Sequence, residues 1–238
     1  MSTDEIPSVW TRPRRSREQP ALSRRQIVAE AVRLLDAEGL DALTMRRLGT
    51  RLEAGATSLY RHVANRDELI ELVVDEVYGE IDIPDTDPAD WRGAATTCAH
   101  SIRSMILRHP WIASVLGQVG LSYLGPNVMR LNERMMAMLD EAGFPPAEAG
   151  PAISTVVAFV IGTGLNEAAW LTMLARSGQT EQDWYRRFGP SLGQAMEPFP
   201  HLRAHFGANA DQEPTRRREE NFAYGLARVL DGLSPRRT

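Results

Sequence analysis

The chain has 238 residues, of which 43% are hydrophobic and 24% are charged, and its formal net charge is −4 at pH 7. This composition predicts one large or two small folded domains and excludes a disordered or fibrous chain. The single cysteine, Cys98, excludes an internal disulfide framework. No apolar run reaches membrane-spanning length, and the Arg-rich start lacks the apolar segment of a secretory signal. We therefore expect a cytoplasmic protein with no membrane partner.

Charge is divided unevenly along the chain. Residues 1–66 hold 12 arginines against 8 acidic residues, a local charge of +4, and the remainder holds 15 arginines against 23 acidic residues. The basic end is therefore the end whose local field attracts phosphate. Residues 1–20 contain three prolines and four clustered arginines without periodicity, which predicts a flexible basic arm.

Three short helical segments follow this arm. Apolar residues at three- and four-residue spacing within 27–35 predict a first helix that ends at Gly39. Thr44 is placed to cap a short second helix over 45–52. A third segment over 56–63 is too short to be stable alone and must pack on the other two. Together the segments have a helix-turn-helix layout.

The rest of the chain is also predicted to be helical. A fourth helix extends from Arg66 to Ile83, and further helices follow from Trp91 onward, separated by proline- and glycine-containing breaks. No alternating run indicates a strand. The predicted fold class is all-α, with an N-terminal three-helix helix-turn-helix domain over 21–66, a connecting helix over 67–83 and a larger helical domain over 84–238.

Three sequence blocks occur in order in the first domain: LTMRRL at 43–48, ATSLYRHV at 56–63 and NRDELI at 65–70. Together they closely resemble the DNA-binding domain of the tetracycline-repressor (TetR) family. A Leu-Tyr-x-His run alone could occur in any small helix, but three blocks at this spacing are specific. The resemblance implies a sequence-specific DNA-binding regulator of transcription.

The later part of the chain resembles the C-terminal ligand-binding domain of the same family. The matching segments are Trp91, RHPW at 108–111, GPN at 125–127, AGF at 142–144 and FAYGL at 222–226. In that family this domain encloses an inducer pocket and forms a homodimer through a four-helix bundle, here about 147–175 and 215–230 from each subunit. The implied interface includes Val156, Phe159, Val160, Thr163, Phe222, Leu226 and Leu230. For the last helix, an ordinary intrachain core is the alternative.

The resemblance also assigns DNA contacts. Arg46 matches a base-reading position, and a guanidinium can donate two hydrogen bonds to guanine O6 and N7. Base or backbone contacts are further implied for Ala56, Thr57, Ser58, Tyr60, His62, Asn65 and Arg66. Alternatively, Tyr60 is a packing residue, and the nearby Arg47, Arg51 and Arg61 are solvated charges. The basic arm either reaches into a minor groove or is a solvated tail.

The inducer differs from that of the tetracycline-binding members. The tetracycline-binding members carry a histidine and a carboxylate that hold a magnesium–drug complex. At these two positions this chain has Leu116 and Asn166. Asp82 stands where those members have a further, drug-contacting histidine. We expect no metal, no cofactor and an apolar or amphipathic inducer other than tetracycline. The candidate pocket residues are Cys98, Ile102, Met105, Trp111, Leu116, Met135, Met138, Asn166 and Trp170. Met and Trp at helical spacing are equally compatible with an ordinary core.

Two other functional classes compete with this interpretation. An all-helical metal- or ligand-binding protein without sequence-specific DNA recognition would use His201 with His205, or Cys98 with His100, but neither pair has an evident third ligand. A DNA-organising protein that ignores sequence would be more basic overall. No phosphate loop or catalytic spacing indicates an enzyme. The sequence favours a homodimeric repressor that a small-molecule inducer releases from a palindromic operator, with activation left open.

Overall fold

The computed structural model describes residues 22–84, 90–119, 125–208 and 212–233, and no strand occurs within these ranges. The predicted basic arm lies outside them. The first domain contains α1 (Arg24–Glu38), a 3-10 turn (Leu40–Ala42), α2 (Met45–Arg51), α3 (Ala56–Tyr60) and α4 (Arg66–Tyr78). The second part contains α5 (Trp91–Arg108), α6 (Ile112–Val119), α7 (Pro126–Glu141), α8 (Pro146–Ser177), α9 (Glu181–Ala195), α10 (Pro200–Ala208) and α11 (Pro214–Gly232). The predicted all-α fold is confirmed.

Side-chain caps determine where the N-terminal helices begin. Ser23 and Gln26 form a capping box at α1, in which Ser23 Oγ accepts from Gln26 N at 3.2 Å and Gln26 Oε1 accepts from Ser23 N at 2.9 Å. Thr44 caps α2 as predicted, through a 3.2 Å hydrogen bond from a backbone N–H. Asn65 caps α4 in the same way at 2.8 Å.

Helix α4 is shorter than the sequence predicted. It ends at Tyr78 rather than at Ile83, because Gly79 has low helix propensity and its N–H closes the last turn on two carbonyl oxygens. The segment that follows is held by α5, since Ser101 Oγ accepts from Asp82 N at 2.8 Å. Helix α4 therefore ends before Pro84, and the hydrogen bond to Ser101 holds the segment between them against α5.

One continuous hydrophobic core joins the two parts of the protein. In the second part it lies mainly between α5, α8 and α11. Two glycines permit close approach there. A Cβ at Gly164 on α8 would lie 3.1 Å from Ile106 Cδ1 on α5, and a Cβ at Gly225 on α11 would lie 2.6 Å from Phe159 Cζ on α8. The spacing of these three helices depends on small residues at their crossings.

A buried arginine also links α5, α8 and α11. Arg103, only 4% exposed, donates to both carboxylate oxygens of Glu167 at 2.7 and 2.8 Å, and to Glu219 Oε2 at 2.7 Å. Its guanidinium also lies 4.8 Å from the ring centroid of Phe222. A bidentate pair of this kind fixes orientation as well as charge balance, so it sets the register of the three helices.

The connecting helix is attached to the second part through Asp75. Asp75 Oδ1 accepts from the backbone N–H groups of Asn127 and Val128 at 2.9 and 3.1 Å, and so caps α7 from another helix. Asn127 Nδ2 donates in return to the Asp75 carbonyl at 2.9 Å. Gly125 is required beside this cap, since a Cβ there would lie 2.2 Å from Asp75 Oδ1. Movement of α4 must therefore either carry α7 with it or break this cap.

Helix α8 has 32 residues and, by length and composition alone, is apolar enough to cross a membrane. The expectation that no apolar stretch reaches this length is therefore wrong for Pro146–Ser177. Only 22% of its most apolar window is buried within the protomer. Many of its other residues are half-buried, and the helix keeps an exposed stripe on one side of the protomer.

Candidate functional site

The exposed surface of α2 and α3 carries the predicted DNA contacts. Arg46 is exposed on α2, and its guanidinium has no hydrogen-bond or ion-pair partner among the described residues. Thr57 is exposed and Ser58 is half-buried at the start of α3, which is anchored from below by the fully buried Leu59. The side chain of Ala56 lies outside the described part of the structure. The free guanidinium of Arg46 therefore lies on α2, and the hydroxyls of exposed Thr57 and half-buried Ser58 lie on α3, the next helix.

The turn after α3 presents the next predicted contacts. The helix ends at Tyr60, three residues earlier than predicted, although Val63 is buried as expected. Tyr60 is 52% exposed, which favours a contact outside the protein over the alternative of a packing residue. His62 is half-buried, and its backbone carbonyl accepts from Arg24 Nε at 3.2 Å. This hydrogen bond ties the turn to the start of α1.

Asn65 and Arg66 are exposed but have partners within the domain. Asn65 Oδ1 is used in the cap of α4, where it accepts from Glu68 N. Arg66 Nε donates to the Leu43 carbonyl at 3.0 Å, and its Nη2 donates to the Leu40 carbonyl at 3.2 Å. Arg66 holds α4 against the 3-10 turn and Asn65 caps α4, so their contact with the DNA backbone stays a prediction.

Two of the three arginines interpreted as solvated charges have structural partners. Arg47 forms an ion pair with Glu38 on α1, and Arg51 contacts Glu30 at 2.5 Å and Glu38 at 3.5 Å. Glu30 is only 8% exposed, so this pair is partly removed from water. Arg61 is exposed and has no such partner among the described residues. The sequence could not separate these cases, because spacing within α2 does not show which acids of α1 lie opposite.

An apolar cavity lies between α5, α7 and α8. Four of the candidate pocket residues line it: Cys98, Ile102, Met135 and Met138. The remaining wall includes Trp91, Ala95, Ala152, Ile153 and Val157. Its free volume is about 30 Å³, enough for one or two water molecules and far below the roughly 300 Å³ of a small-ligand site. An inducer would therefore have to open this cavity.

The other candidate pocket residues lie elsewhere. Met105 is buried in the core, Asn166 is exposed, and the Trp170 indole donates to Glu181 Oε1 at 3.1 Å. Trp111 is buried and faces α1 instead of the cavity. The side chain of Leu116 lies outside the described part of the structure. These residues lie on or next to α5, α6 and α8, and helical spacing did not show which face of each helix meets the cavity.

A histidine that the sequence did not assign to any site joins the two parts of the protein. His109, 6% exposed, lies with Nδ1 2.7 Å from Asp36 Oδ1 on α1 and with Nε2 3.2 Å from Glu80 Oε1 after α4. Partial burial by itself raises the pKa of Glu80, but hydrogen bonds and charge from Arg108 and His109 outweigh it and lower that pKa. Ionised Glu80 thus faces Arg108 at the end of α5 and His109, which follows it.

Several residues predicted for the dimer interface face inward. Phe222, Leu226 and Leu230 are 2–4% exposed and Val160 is fully buried, so they belong to the intrachain core that the sequence left as the alternative. Val156, Phe159 and Thr163 are half-buried. The exposed stripe of α8 is a different one, with Thr155, Ala158, Gly162, Asn166, Ala169 and Met173 at helical spacing. The helices that pack against α8 within the protomer determine which of its faces is buried.

Metal ligation has little geometric support. Within the described ranges, no group of three or more His, Cys, Asp or Glu side chains could hold a metal ion. His201 and His205 are exposed on α10, and the ring of His100 packs edge-on against Phe222 at 5.0 Å. Burial raises the pKa of the Cys98 thiol to about 12, with Asp82 adding to the increase and Arg134 opposing it. That thiol is a poor ligand near neutral pH.

Comparison with known proteins gives matches over almost the whole described chain. Residues 27–73 match the family of bacterial regulatory proteins named after tetR, and residues 83–237 match the tetracyclin repressor-like C-terminal domain. An HTH-type transcriptional regulator of Saccharopolyspora erythraea is 38% identical over 68% of this chain and 69% of its own. The HTH-type transcriptional repressor DrrR1 of Streptomyces coeruleorubidus is 30% identical over 90% of this chain and 78% of its own.

Solved structures agree with this result. The TetR family protein ActR of Streptomyces coelicolor, in complex with actinorhodin, is 32% identical and superposes with a TM-score of 0.73 over 90% of this chain and 95% of its own. Its apo form gives a TM-score of 0.70 over 89% and 96%. A family model that covers well over half of the residues, together with these relatives, fixes the assignment: this chain is a TetR-family, helix-turn-helix, DNA-binding regulator of transcription.

Proposed function

We propose that the protein is a homodimeric repressor that binds a palindromic operator and is released from it by a small-molecule inducer. The observation that carries this proposal is the free guanidinium of Arg46, exposed beside α3 in a domain of the matched family. A dimer would place two copies of α3 roughly 34–36 Å apart in successive major grooves. The name of the relative DrrR1, a transcriptional repressor, supports repression rather than activation.

Dimerisation would use the exposed stripe of α8. Ala158, Gly162 and Ala169 leave small side chains on that face, which permits close helix approach, and Met173 extends the apolar surface. On α11, Ala223 and Ala227 are exposed on the side away from the core. Packing of two such helices from each protomer would cover the apolar surface of α8 that is otherwise left in water.

The inducer site would be the cavity between α5, α7 and α8. Its lining is apolar apart from the Cys98 thiol, which suits an apolar or amphipathic small molecule. ActR, which is similar to this chain along its length, has been solved with actinorhodin and with (S)-DNPA, and this supports a ligand-responsive role. Because the cavity is small, ligand binding would displace the helices that form it.

Displacement of α7 would be transmitted through α4 to the predicted DNA-contact surface of α2 and α3. The cap that Asp75 gives to Asn127 and Val128 couples these two helices directly. The contact of His109 with Asp36 gives a second connection, to α1. The inducer must bind the DNA-incompetent arrangement more tightly, since equal affinity for both arrangements would shift nothing.

The remaining assignments follow from this function. We propose a cytoplasmic, non-enzymatic protein with a helix-turn-helix domain over 21–66, a connecting helix over 67–83 and a ligand-binding and dimerisation domain over 84–238. The proposed DNA contacts are Arg46, Ala56, Thr57, Ser58, Tyr60, His62, Asn65 and Arg66. The similarity of the chain to transcriptional regulators supports a role without catalysis.

The test is selection of random duplex DNA by the purified full chain at fixed physiological salt, followed by sequencing of the retained DNA. We expect one enriched palindrome, because a symmetric dimer reads two inverted half-sites. Retention without enrichment would contradict sequence-specific recognition. Enrichment of a single half-site without inverted symmetry would contradict the dimer.

A further inference from the structure

Helix α3 is held at its C-terminal end by two other helices. It has only five residues, and Gly55 before it has no side chain with which to cap it. A helix of this length is not stable alone, so its orientation depends on contacts with the rest of the domain. Arg24 at the start of α1 and Glu68 in the first turn of α4 contact the turn over residues 61–65, which we call the α3 turn.

Arg24 contacts the backbone of the α3 turn. Its Nε donates to the carbonyl of His62 at 3.2 Å. This carbonyl lies just beyond Tyr60, the last residue of α3, and each backbone carbonyl is an obligatory acceptor. The hydrogen bond joins residues that are 38 positions apart in the chain. It therefore ties the end of α3 to α1 by a contact separate from the buried side chain of Leu59.

The stability of α1 does not explain the position of Arg24. Arg24 is the first residue of α1, directly after the capping residue Ser23. A positive charge in the first turn lies at the positive end of the helix dipole and is unfavourable there. The same turn contains no acidic residue that would offset this charge. The contact with the α3 turn gives Arg24 a role at this position that α1 itself does not provide.

Glu68 holds the same turn from α4. Its Oε2 accepts from the backbone N–H of Ala64 at 2.6 Å, and its Oε1 lies 3.9 Å from Arg24 Nη2. The N–H of Glu68 in turn donates to Asn65 Oδ1 at 2.8 Å. The α3 turn therefore has its His62 carbonyl bound to α1 and its Ala64 N–H bound to α4. Movement of the turn would break at least one of these hydrogen bonds.

We propose that Arg24 and Glu68 are positioning residues for the reading of DNA bases. The buried Leu59 anchors α3 in the domain, and the two hydrogen bonds to the α3 turn set the angle at which Thr57 and Ser58 face the major groove. Arg24 and Glu68 act through the backbone of the turn and contact no base themselves. This inference rests on the proposed function, because it requires α3 to read bases, and it deepens that function.

The test measures base preference, defined as the Kd for a single-base variant of the selected operator divided by the Kd for the operator itself. Fluorescence anisotropy with the full chain at fixed salt gives both values. Loss of a phosphate contact weakens binding to all sequences alike and reduces the salt slope by about 1. Loss of folded protein also lowers binding to all sequences alike. Neither effect changes the base preference, whereas a misplaced α3 reduces it.

Each variant has a matched control of the same charge in the same helical turn. Arg24→Gln should reduce base preference about fivefold, as loss of one hydrogen bond gives. Arg25→Gln should leave it unchanged, since Arg25 is exposed and has no partner among the described residues. Glu68→Ala should also reduce base preference about fivefold, although removal of an acid strengthens the attraction to phosphate. Asp67→Ala removes an exposed acid from the same turn and should leave base preference unchanged.

The outcomes separate positioning from charge and from the proposed function. The double variant Arg24→Gln, Glu68→Ala should lose less base preference than the product of the two single losses, because both residues act on one turn. Unchanged base preference in both single variants, or an equal loss in the two controls, would overturn the positioning role and leave the proposed function intact. If the wild-type chain shows no base preference on any duplex, the proposed function itself is wrong.

Discussion

The indole Nε1–H of Trp111 donates to Asp36 Oδ1 at 2.8 Å, across the boundary between the DNA-reading domain and the rest of the protein. The same oxygen lies 2.7 Å from His109 Nδ1. One carboxylate on α1 thus contacts two side chains that are only 5–6% exposed. The link is short and polar, and its His109 and Trp111 sides are buried while the Asp36 side chain is 33% exposed, so loss of Asp36 leaves two buried donors without this partner.

Asp36→Ala should destabilise the protein. The substitution leaves the Trp111 N–H and His109 Nδ1 buried without their partner, at a cost of about 1–3 kcal/mol in the free energy of unfolding. Urea unfolding measures this change. Trp111→Phe removes the donor together with part of a buried ring, so it should also destabilise the protein. Asp41→Ala, an exposed aspartate on the 3-10 turn, is the control. Equal stability of Asp36→Ala and the control would contradict the importance of this link.

Arg46→Ala and Arg47→Ala should affect DNA binding differently. Arg46 is free to contact a base, whereas Arg47 is paired with Glu38. Arg46→Ala should lose about 1–3 kcal/mol of discrimination at one operator position. Arg47→Ala should leave base preference unchanged. Fluorescence anisotropy with the selected operator and single-base variants measures both. The same base preference in wild type and Arg46→Ala would show that the base-reading assignment is wrong.

Ala158→Glu should convert the proposed dimer into a monomer. The residue is exposed in the middle of the α8 stripe, so the new carboxylate would be buried beside its symmetry mate in the dimer. Sedimentation equilibrium measures the molar mass, and circular dichroism checks that the helices persist. Ala175→Glu makes the same change on the opposite side of α8 and should stay dimeric. A dimeric Ala158→Glu would exclude this face as the interface.

Cys98 should be unreactive in the native state. Burial raises its thiol pKa from 9.0 to about 12, so the thiolate is scarce at pH 8 and iodoacetamide should label the native protein far more slowly than the urea-unfolded one. Because the folded pKa is the higher one, the stability that it contributes is complete below pH 9 and is lost as pH rises towards 12.

The measurement for this pH dependence is urea unfolding between pH 8 and pH 11. The wild type should lose more stability over this range than Cys98→Ser, whose hydroxyl does not titrate there. Parallel curves for the two proteins, or native labelling as fast as unfolded labelling, would contradict a protonated, buried thiol.

The sequence by itself determined the all-helical fold, the starts of the first helices and the DNA-reading motif, because these depend on local periodicity and on side chains within a few residues of each helix start. Thr44 caps α2 as its position indicates, and Leu59 and Val63 are buried. The family assignment followed from three short blocks for the same reason, since their spacing is local.

Only the tertiary structure decided which side chains meet across helices. Arg46 and Arg47 are adjacent arginines on one short helix, yet only Arg47 faces an acid of α1. Trp111 lies at the domain boundary instead of in the cavity, and Leu226 faces the core instead of a second subunit. Helical spacing defines a face, but the neighbour of that face is set by the packing of distant segments, and no local pattern encodes it.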